Sequence, residues 1–304
     1  MNGHAPVMVA EALRWLEPAR GGVFVDCTLG AGGHAAALLD AGATRVVGID
    51  RDETALALAR ERLAGYGDRV ETVHANYGAL GAVLEARGLE VVDGLIADLG
   101  VSSMQLDDLD RGFSFRGDAA LDMRMDRSQG PTAADLLREV SEGDLADVIF
   151  QYGEERHSRR IARALVRARD EAPLTSTRAV ADVVRRAAPH RGYQRIDPAT
   201  RTFQALRIWV NGELDGLERF VRDAVARLRT GARLVVIAFH SLEDRIVKHT
   251  LRALDREEGV VRVLTPRPEV ASDAEVEQNP RARSAKLRAA ERLVKSETRL
   301  AEGV

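Results

Sequence analysis

Three carboxylates and a glycine turn stand at spacings that suit a nucleoside-bearing cofactor. Asp26 closes a short apolar run of Val23, Phe24 and Val25, and Gly30, Gly32 and Gly33 follow it. Glycine permits tight turns and lets a ligand lie close to the backbone. Asp50 ends a second apolar run, residues 45–49, twenty positions after Gly30. At that separation an acid beyond the second strand of a βαβ unit meets a ribose. Asp98 ends a further apolar run, residues 91–97. Such a set serves either hydride transfer from a nicotinamide dinucleotide or methyl transfer from S-adenosylmethionine. Asp26 would repel a pyrophosphate bound at the glycine turn, whereas S-adenosylmethionine carries a sulfonium, an ammonium and no phosphate. Asp98 falls where ligands sit in open α/β sheets, beyond the carboxyl ends of the strands. These residues favour methyl transfer and leave a dinucleotide enzyme as the alternative.

Positioning these groups requires alternating strands and helices. The patterning predicts a helix over 8–16, strands at 23–25, 45–49, 70–73 and 91–97, and helices at 34–40, 53–63 and 80–87. That alternation implies a parallel, doubly wound α/β sheet, a Rossmann-like fold. It breaks at residues 101–130, a long polar stretch without sustained periodicity, of the kind that is functional or disordered. Five helices are expected next, at 133–140, 142–152, 155–169, 176–188 and 198–210, with Thr175 or Ser176 as an N-cap and Pro189 as a stop. Strand and helix signals then resume at 216–228, 233–239, 242–254 and 260–264, followed by a loop at 265–280 and a basic segment at 281–292. The expected organisation is a sheet domain in two parts, 1–130 and 207–304, interrupted by an all-helical domain at 131–206.

Composition narrows the class. The 304 residues are 45% hydrophobic and 30% charged, with no apolar run approaching the roughly 20 residues that span a bilayer. No secretory signal is visible at the N-terminus, so a cytoplasmic protein without membrane association is expected. The single cysteine, Cys27, rules out internal disulfides and thiolate metal clusters. Seven scattered histidines lack ligand spacing, and transfer from a sulfonium needs no Lewis acid, so no metal is expected. The net charge of −3 hides an asymmetry: residues 154–201 hold twelve arginines against six acids. With 41 arginines and three lysines in all, part of that excess is a compositional bias of the whole chain.

Several further motifs complete a pattern. His4-x-Pro6-Val7, Gly30-Ala31-Gly32-Gly33-His34, Asp98-Leu99-Gly100-Val101-Ser102-Ser103, Gln105-Leu106-Asp107-Asp108 and Arg111-Gly112-Phe113-Ser114-Phe115 come first. Leu121-Asp122-Met123-Arg124-Met125, Phe239-His240-Ser241-Leu242-Glu243-Asp244 and Asn279-Pro280-Arg281-x-Arg283-Ser284-Ala285-Lys286-Leu287-Arg288 follow. In this order, over residues 4–294, the chain resembles the bacterial small-subunit ribosomal RNA methyltransferase H family. The resemblance implies S-adenosylmethionine as cofactor, the N4 amine of a 16S rRNA cytosine in the ribosomal P site as acceptor, and RNA recognition by the helical insertion. It carries cofactor contacts onto Gly32, Gly33, His34, Asp50, Tyr77, Asp98 and Gln105. Tyr77 departs from the phenylalanine common at its position, which preserves ring packing and adds a hydroxyl that needs a partner. The partner that the resemblance implies is 16S rRNA within the small ribosomal subunit, with monomer and homodimer as alternative states.

Each role has a structural rival. His34 contacts the cofactor carboxylate or merely opens its helix. Tyr77 packs on adenine or belongs to the core. Asp98 is the candidate catalytic acceptor for the cytosine amine, with cofactor contact as its competing role; no (Asp/Asn/Ser)-Pro-Pro-aromatic turn accompanies it. His240 faces the same cleft or is structural. Phe113 and Phe115, flanked by Arg111 and Arg116, suit an unpaired base, or else anchor the loop. Arg156, Arg160, Arg163 and Arg167 share one helical face and suit phosphates, or are simply solvated. Arg281, Arg283, Lys286 and Arg288 form a second basic candidate.

Overall fold

The protein was described from a computed structural model covering residues 6–188 and 196–294. His4 and Pro189 lie outside the described residues. In chain order the first part contains α1 (Val9–Leu16), β1 (Val23–Asp26), α2 (Gly33–Asp40), β2 (Arg45–Asp50), α3 (Glu53–Leu63), β3 (Val70–His74), α4 (Leu80–Glu85) and β4 (Val92–Asp98). Six α-helices follow among the described residues: α5 (Ser103–Asp107), α6 (Ala133–Glu139), α7 (Glu142–Gly153), α8 (Ser158–Glu171), α9 (Thr177–Ala187) and α10 (Ala199–Asn211). The chain ends with α11 (Leu217–Ala226), β5 (Leu228–Ala238), α12 (Ser241–Arg256), β6 (Val261–Val263), α13 (Asp273–Gln278) and β7 (Lys286–Arg292).

The strands form one sheet in the order β3-β2-β1-β4-β5-β7-β6. β1 pairs in parallel with β2 on one side and β4 on the other, which makes it a central strand, and its Phe24 and Val25 are buried. Order reverses between β1 and β4, which makes their carboxyl ends the switch point where an open α/β sheet binds its ligand. Asp26 and Asp98 stand at those two ends, and Asp50 at the neighbouring end of β2. The register is anchored by α2, whose Ala35, Leu38 and Leu39 are buried in one core cluster with Val46 and Ile96.

Two expectations for this half are corrected. The sheet is mixed rather than parallel, because β7 runs antiparallel to both β5 and β6. The basic segment at 281–292 is largely this strand, not an exposed patch. Leu287, Ala289 and Ala290 are fully buried, and Arg288, only 5% exposed, donates to Asp244 at 2.7 Å. Lys286 also pairs with Asp244, at 3.5 Å.

Contacts divide the chain into two compact units, Val101–Asp215 and the remainder. The boundaries expected at 130/131 and 206/207 therefore move to 100/101 and 215/216. The physical reason lies in the long polar stretch. Phe113, Leu121, Met123 and Met125 are buried in the same cluster as Leu145, Ile149, Ile161, Leu165, Val184 and Phe203. Buried Arg111 donates to the carbonyls of Arg124 and Met125. Asn211, on α10, accepts from the Met125 amide and donates to the Met123 carbonyl, both at 2.7 Å. A segment with no periodicity is thus held by core side chains at irregular intervals and by polar groups that satisfy its backbone. Thr132, Ser141 and Ser176 cap α6, α7 and α9 through their side chains.

Candidate cofactor and active site

The turn after β1 is stitched to both neighbouring strands. Thr28 Oγ1 accepts from the Asp98 amide at 2.6 Å, which ties the turn to β4. On the β2 side, Leu29 donates to the Ile49 carbonyl at 2.8 Å and Gly30 donates to Asp50 Oδ2 at 2.7 Å. Gly32 has φ +78°, a left-handed conformation that leads into α2, and its N–H donates to the Leu29 carbonyl at 2.8 Å. The Gly32 amide, among the expected cofactor contacts, is thus engaged by the turn itself. A Cβ at Gly33 would fall 2.8 Å from Pro6 Cγ, so the residue is glycine because Pro6 packs against its Cα.

Three buried or half-buried acids and one histidine converge beyond this turn. Asp26 is 1% exposed; its Oδ1 accepts from the Thr28 amide at 3.2 Å, and its Oδ2 has no partner. His34, 6% exposed on the first turn of α2, places Nε2 3.6 Å from Asp98 Oδ2, too far for a hydrogen bond. His34 Nε2 and Asp98 Oδ1 are likewise buried without a partner. Burial raises the Asp26 carboxyl to about 7, against the opposing pull of His34 and the Thr28 amide. For His34 burial opposes the charged ring, yet Asp98, Asp26 and Glu275 outweigh it and lift the pKa above the ordinary histidine value.

Asp50 is held by two amides: Gly30 on Oδ2 and Asp52 on Oδ1, the latter at 2.8 Å. Desolvation still raises its pKa despite these bonds. Each oxygen keeps a second lone pair, so the carboxylate retains acceptor capacity for a vicinal diol. Tyr77, half-buried just after β3, lies with its ring centroid 4.7 Å from that of Phe220. Glycine turn, ring and three strand-end acids therefore belong to one half of the chain.

These groups fit S-adenosylmethionine. The unpartnered oxygen of Asp26 is an acceptor that a cationic ligand would satisfy, Asp50 offers acceptors for ribose hydroxyls, and Tyr77 offers a ring face to a purine. Sequence reasoning used Asp26 only to choose between cofactors and passed over Thr28 and Asp52. The signal for Thr28 was its place two residues after Asp26, where an aspartate side chain accepts from the second following amide.

The remaining candidates divide. His240 is a structural cap: its Nδ1 accepts from the Glu243 amide at 3.4 Å at the start of α12, and Nε2 lies 3.2 Å from Glu243 Oε1. Gln105 belongs to the helical unit, where it forms a capping box with Ser102; its Oε1 accepts from the Ser102 amide at 2.9 Å. Phe113, 7% exposed, is buried in that unit's core with Arg111 over its ring, so it packs rather than stacking on a base. Phe115 is half-buried, edge-on to Phe203 at 4.7 Å and beneath Arg185 at 5.5 Å. It lines an open cavity of about 670 Å³ together with Arg116 and Arg178. Arg160, Arg163 and Arg167 are exposed on α8, whereas Arg156 is exposed in the turn before it. Arg163 pairs with Glu142 at 3.3 Å and Arg167 with Glu171 at 3.5 Å.

A sheet of this order, with acids at the ends of β1, β2 and β4 around a glycine turn, defines an S-adenosylmethionine-dependent methyltransferase. Comparison with known proteins places it more closely. The profile of the MraW methylase family matches residues 1–293, and the chain belongs to that family. Three relatives bear the name ribosomal RNA small subunit methyltransferase H. The one from Sorangium cellulosum is 54% identical over 95% of this chain and 91% of its own length. Those from Bradyrhizobium diazoefficiens and Geobacter sulfurreducens are each 51% identical over 95% of this chain, and over 91% and 99% of their own lengths.

Proposed function

We propose that this enzyme transfers a methyl group to the N4 amine of a cytosine of 16S rRNA in the P site of the small ribosomal subunit, in the cytoplasm. Relatives named for small-subunit ribosomal RNA, matched over nearly the whole chain, support the substrate class. The single structural observation that supports an amine acceptor is Asp98 Oδ1, buried without a partner at the end of β4, beside the sheet's switch point.

The chemistry explains why such an oxygen is useful. The lone pair of cytosine N4 is delocalised into the ring, which makes the amine a poor nucleophile. When bound, the cofactor supplies an electrophilic methyl group on a sulfonium. Asp98 accepts a hydrogen bond from the amine, favours its pyramidal form and holds the nitrogen in line for attack. Thr28 fixes the backbone amide of Asp98, and the turn that carries Thr28 is fixed in turn by Asp50. In the helical unit, the α8 arginines are the candidate phosphate contacts, and Phe115 with Arg116 the candidate base contact. Nucleoside mass spectrometry of 16S rRNA from strains with and without the gene tests the assignment. N4-methylcytidine should vanish in the deletion and return with the wild-type gene; its unchanged presence would refute the substrate.

A further inference from the structure

We propose that Asp26, together with His34 and Asp98, holds a proton in the ligand-free protein that is expelled as S-adenosylmethionine binds, so that this buried cluster makes cofactor affinity depend on pH. The proposal rests on S-adenosylmethionine being the cofactor and adds a role for a residue otherwise explained by the turn alone.

Geometry supplies the argument. Asp26 ends β1, His34 lies in the first turn of α2 and Asp98 ends β4, and each presents a buried atom with no hydrogen-bond partner: Oδ2, Nε2 and Oδ1. Asp50 at the end of β2 also faces Asp26, and Glu275 on α13 also faces His34. The buried Asp26 carboxyl thus lies under the influence of the His34 imidazole and of two further acids, Asp98 and Asp50, with its Oδ2 shut off from water. Ionising Asp26 there without a further cation is costly, because burial and neighbouring negative charge both disfavour its carboxylate. One carboxyl therefore keeps its proton, and Asp26 is the most deeply buried of the acids at the strand ends. Its Oδ1 is engaged by the Thr28 amide, which leaves Oδ2 to carry the proton. A bound cation reverses the balance. The O–H bond of the Asp26 carboxyl breaks, its electron pair stays on Oδ2, and the proton passes to solvent. The elevated pKa of Asp26 puts this exchange near neutrality.

Isothermal titration of the 304-residue chain with S-adenosylmethionine, in two buffers of different ionisation enthalpy, reads the exchange directly. A group titrating near 7 that ionises on binding releases about 0.9 proton per cofactor at pH 6 and about 0.5 at pH 7, and affinity rises about fivefold between them. Measurements stay below the pH at which the cofactor's own amine titrates, roughly 7.7. Asp26→Asn keeps an acceptor for the Thr28 amide but has no titratable proton, so the binding that remains should show neither the proton release nor the pH slope. Equal heats in the two buffers for the wild-type protein would overturn the proposal, whether or not the variant folds. So would unchanged proton release in a folded Asp26→Asn variant. Absence of saturable binding at every pH would instead refute the cofactor assignment.

Discussion

The amide of Gly30 donates to Asp50 Oδ2 at 2.7 Å, joining the glycine turn after β1 to the acid at the end of β2. The acid proposed to accept from the ribose is therefore also the clamp on the turn, and its removal should act twice. We expect Asp50→Ala to weaken S-adenosylmethionine binding at least 100-fold, since hydrogen bonds to a charged group contribute about 1.5–3 kcal/mol each. Equilibrium dialysis would check this; a loss below fivefold would show that the diol is held elsewhere.

Thr28 ties that turn to β4 through the Asp98 amide. Thr28→Val keeps the shape but leaves a buried N–H without an acceptor, at a cost of about 1–3 kcal/mol. Turnover should fall with RNA affinity unchanged, because the substitution displaces Asp98 rather than any basic surface. Matched binding and single-turnover assays separate the two effects.

Asp98→Ala should abolish transfer while leaving the circular dichroism spectrum and cofactor-free stability near wild type. Near-normal turnover would remove Asp98 from the chemistry.

Burial raises the Asp26 carboxyl to about 7, so the folded protein binds this proton more tightly than the unfolded chain does. The sign follows from linkage: its contribution to stability is full below about pH 4 and is lost as pH rises to about 7. The melting temperature of Asp26→Asn relative to wild type should therefore increase between pH 5 and pH 7.5, in the absence of cofactor. A difference that stays flat across this range would mean that Asp26 does not titrate there.

Asn211 satisfies two backbone groups of the segment that carries Met123 and Met125. Asn211→Ala should destabilise the helical unit by about 2–5 kcal/mol, the penalty for two buried groups left unpaired. Limited proteolysis should then cut within residues 113–125, where the wild-type protein resists.

The frame of the site was legible because it obeys local rules. Strand, glycine turn, helix and acid follow one another within residues 23–50, and each step has its own signature in residue type. β7 was hidden for the opposite reason. Lys286, Arg288 and Arg292 are mixed with Leu287 and two alanines without a sustained alternation, and only pairing with β5 and Asp244 makes them a strand. The stretch at 101–130 was opaque because its partners lie far away. Arg111 binds carbonyls 13 and 14 residues on, and Asn211 reaches back 86 and 88 residues. No periodicity reports such bonds. Phe113 and Phe115 looked alike in sequence, yet one lies in the core and the other lines a cavity, since burial depends on those distant partners.

The insertion of a compact helical unit between β4 and β5 also has a kinetic consequence. These strands pair directly, yet about 130 residues separate Asp98 from Leu228, and joining them from an unfolded chain closes a loop of that length. If Val101–Asp215 has already folded, the flexible part of the loop shrinks to about 15 residues, and the entropic cost of closure drops by roughly 2 kcal/mol. The order of synthesis favours this sequence of events, because the helical unit leaves the ribosome before β5 does. The module that interrupts the sheet therefore shortens the path by which the sheet is completed.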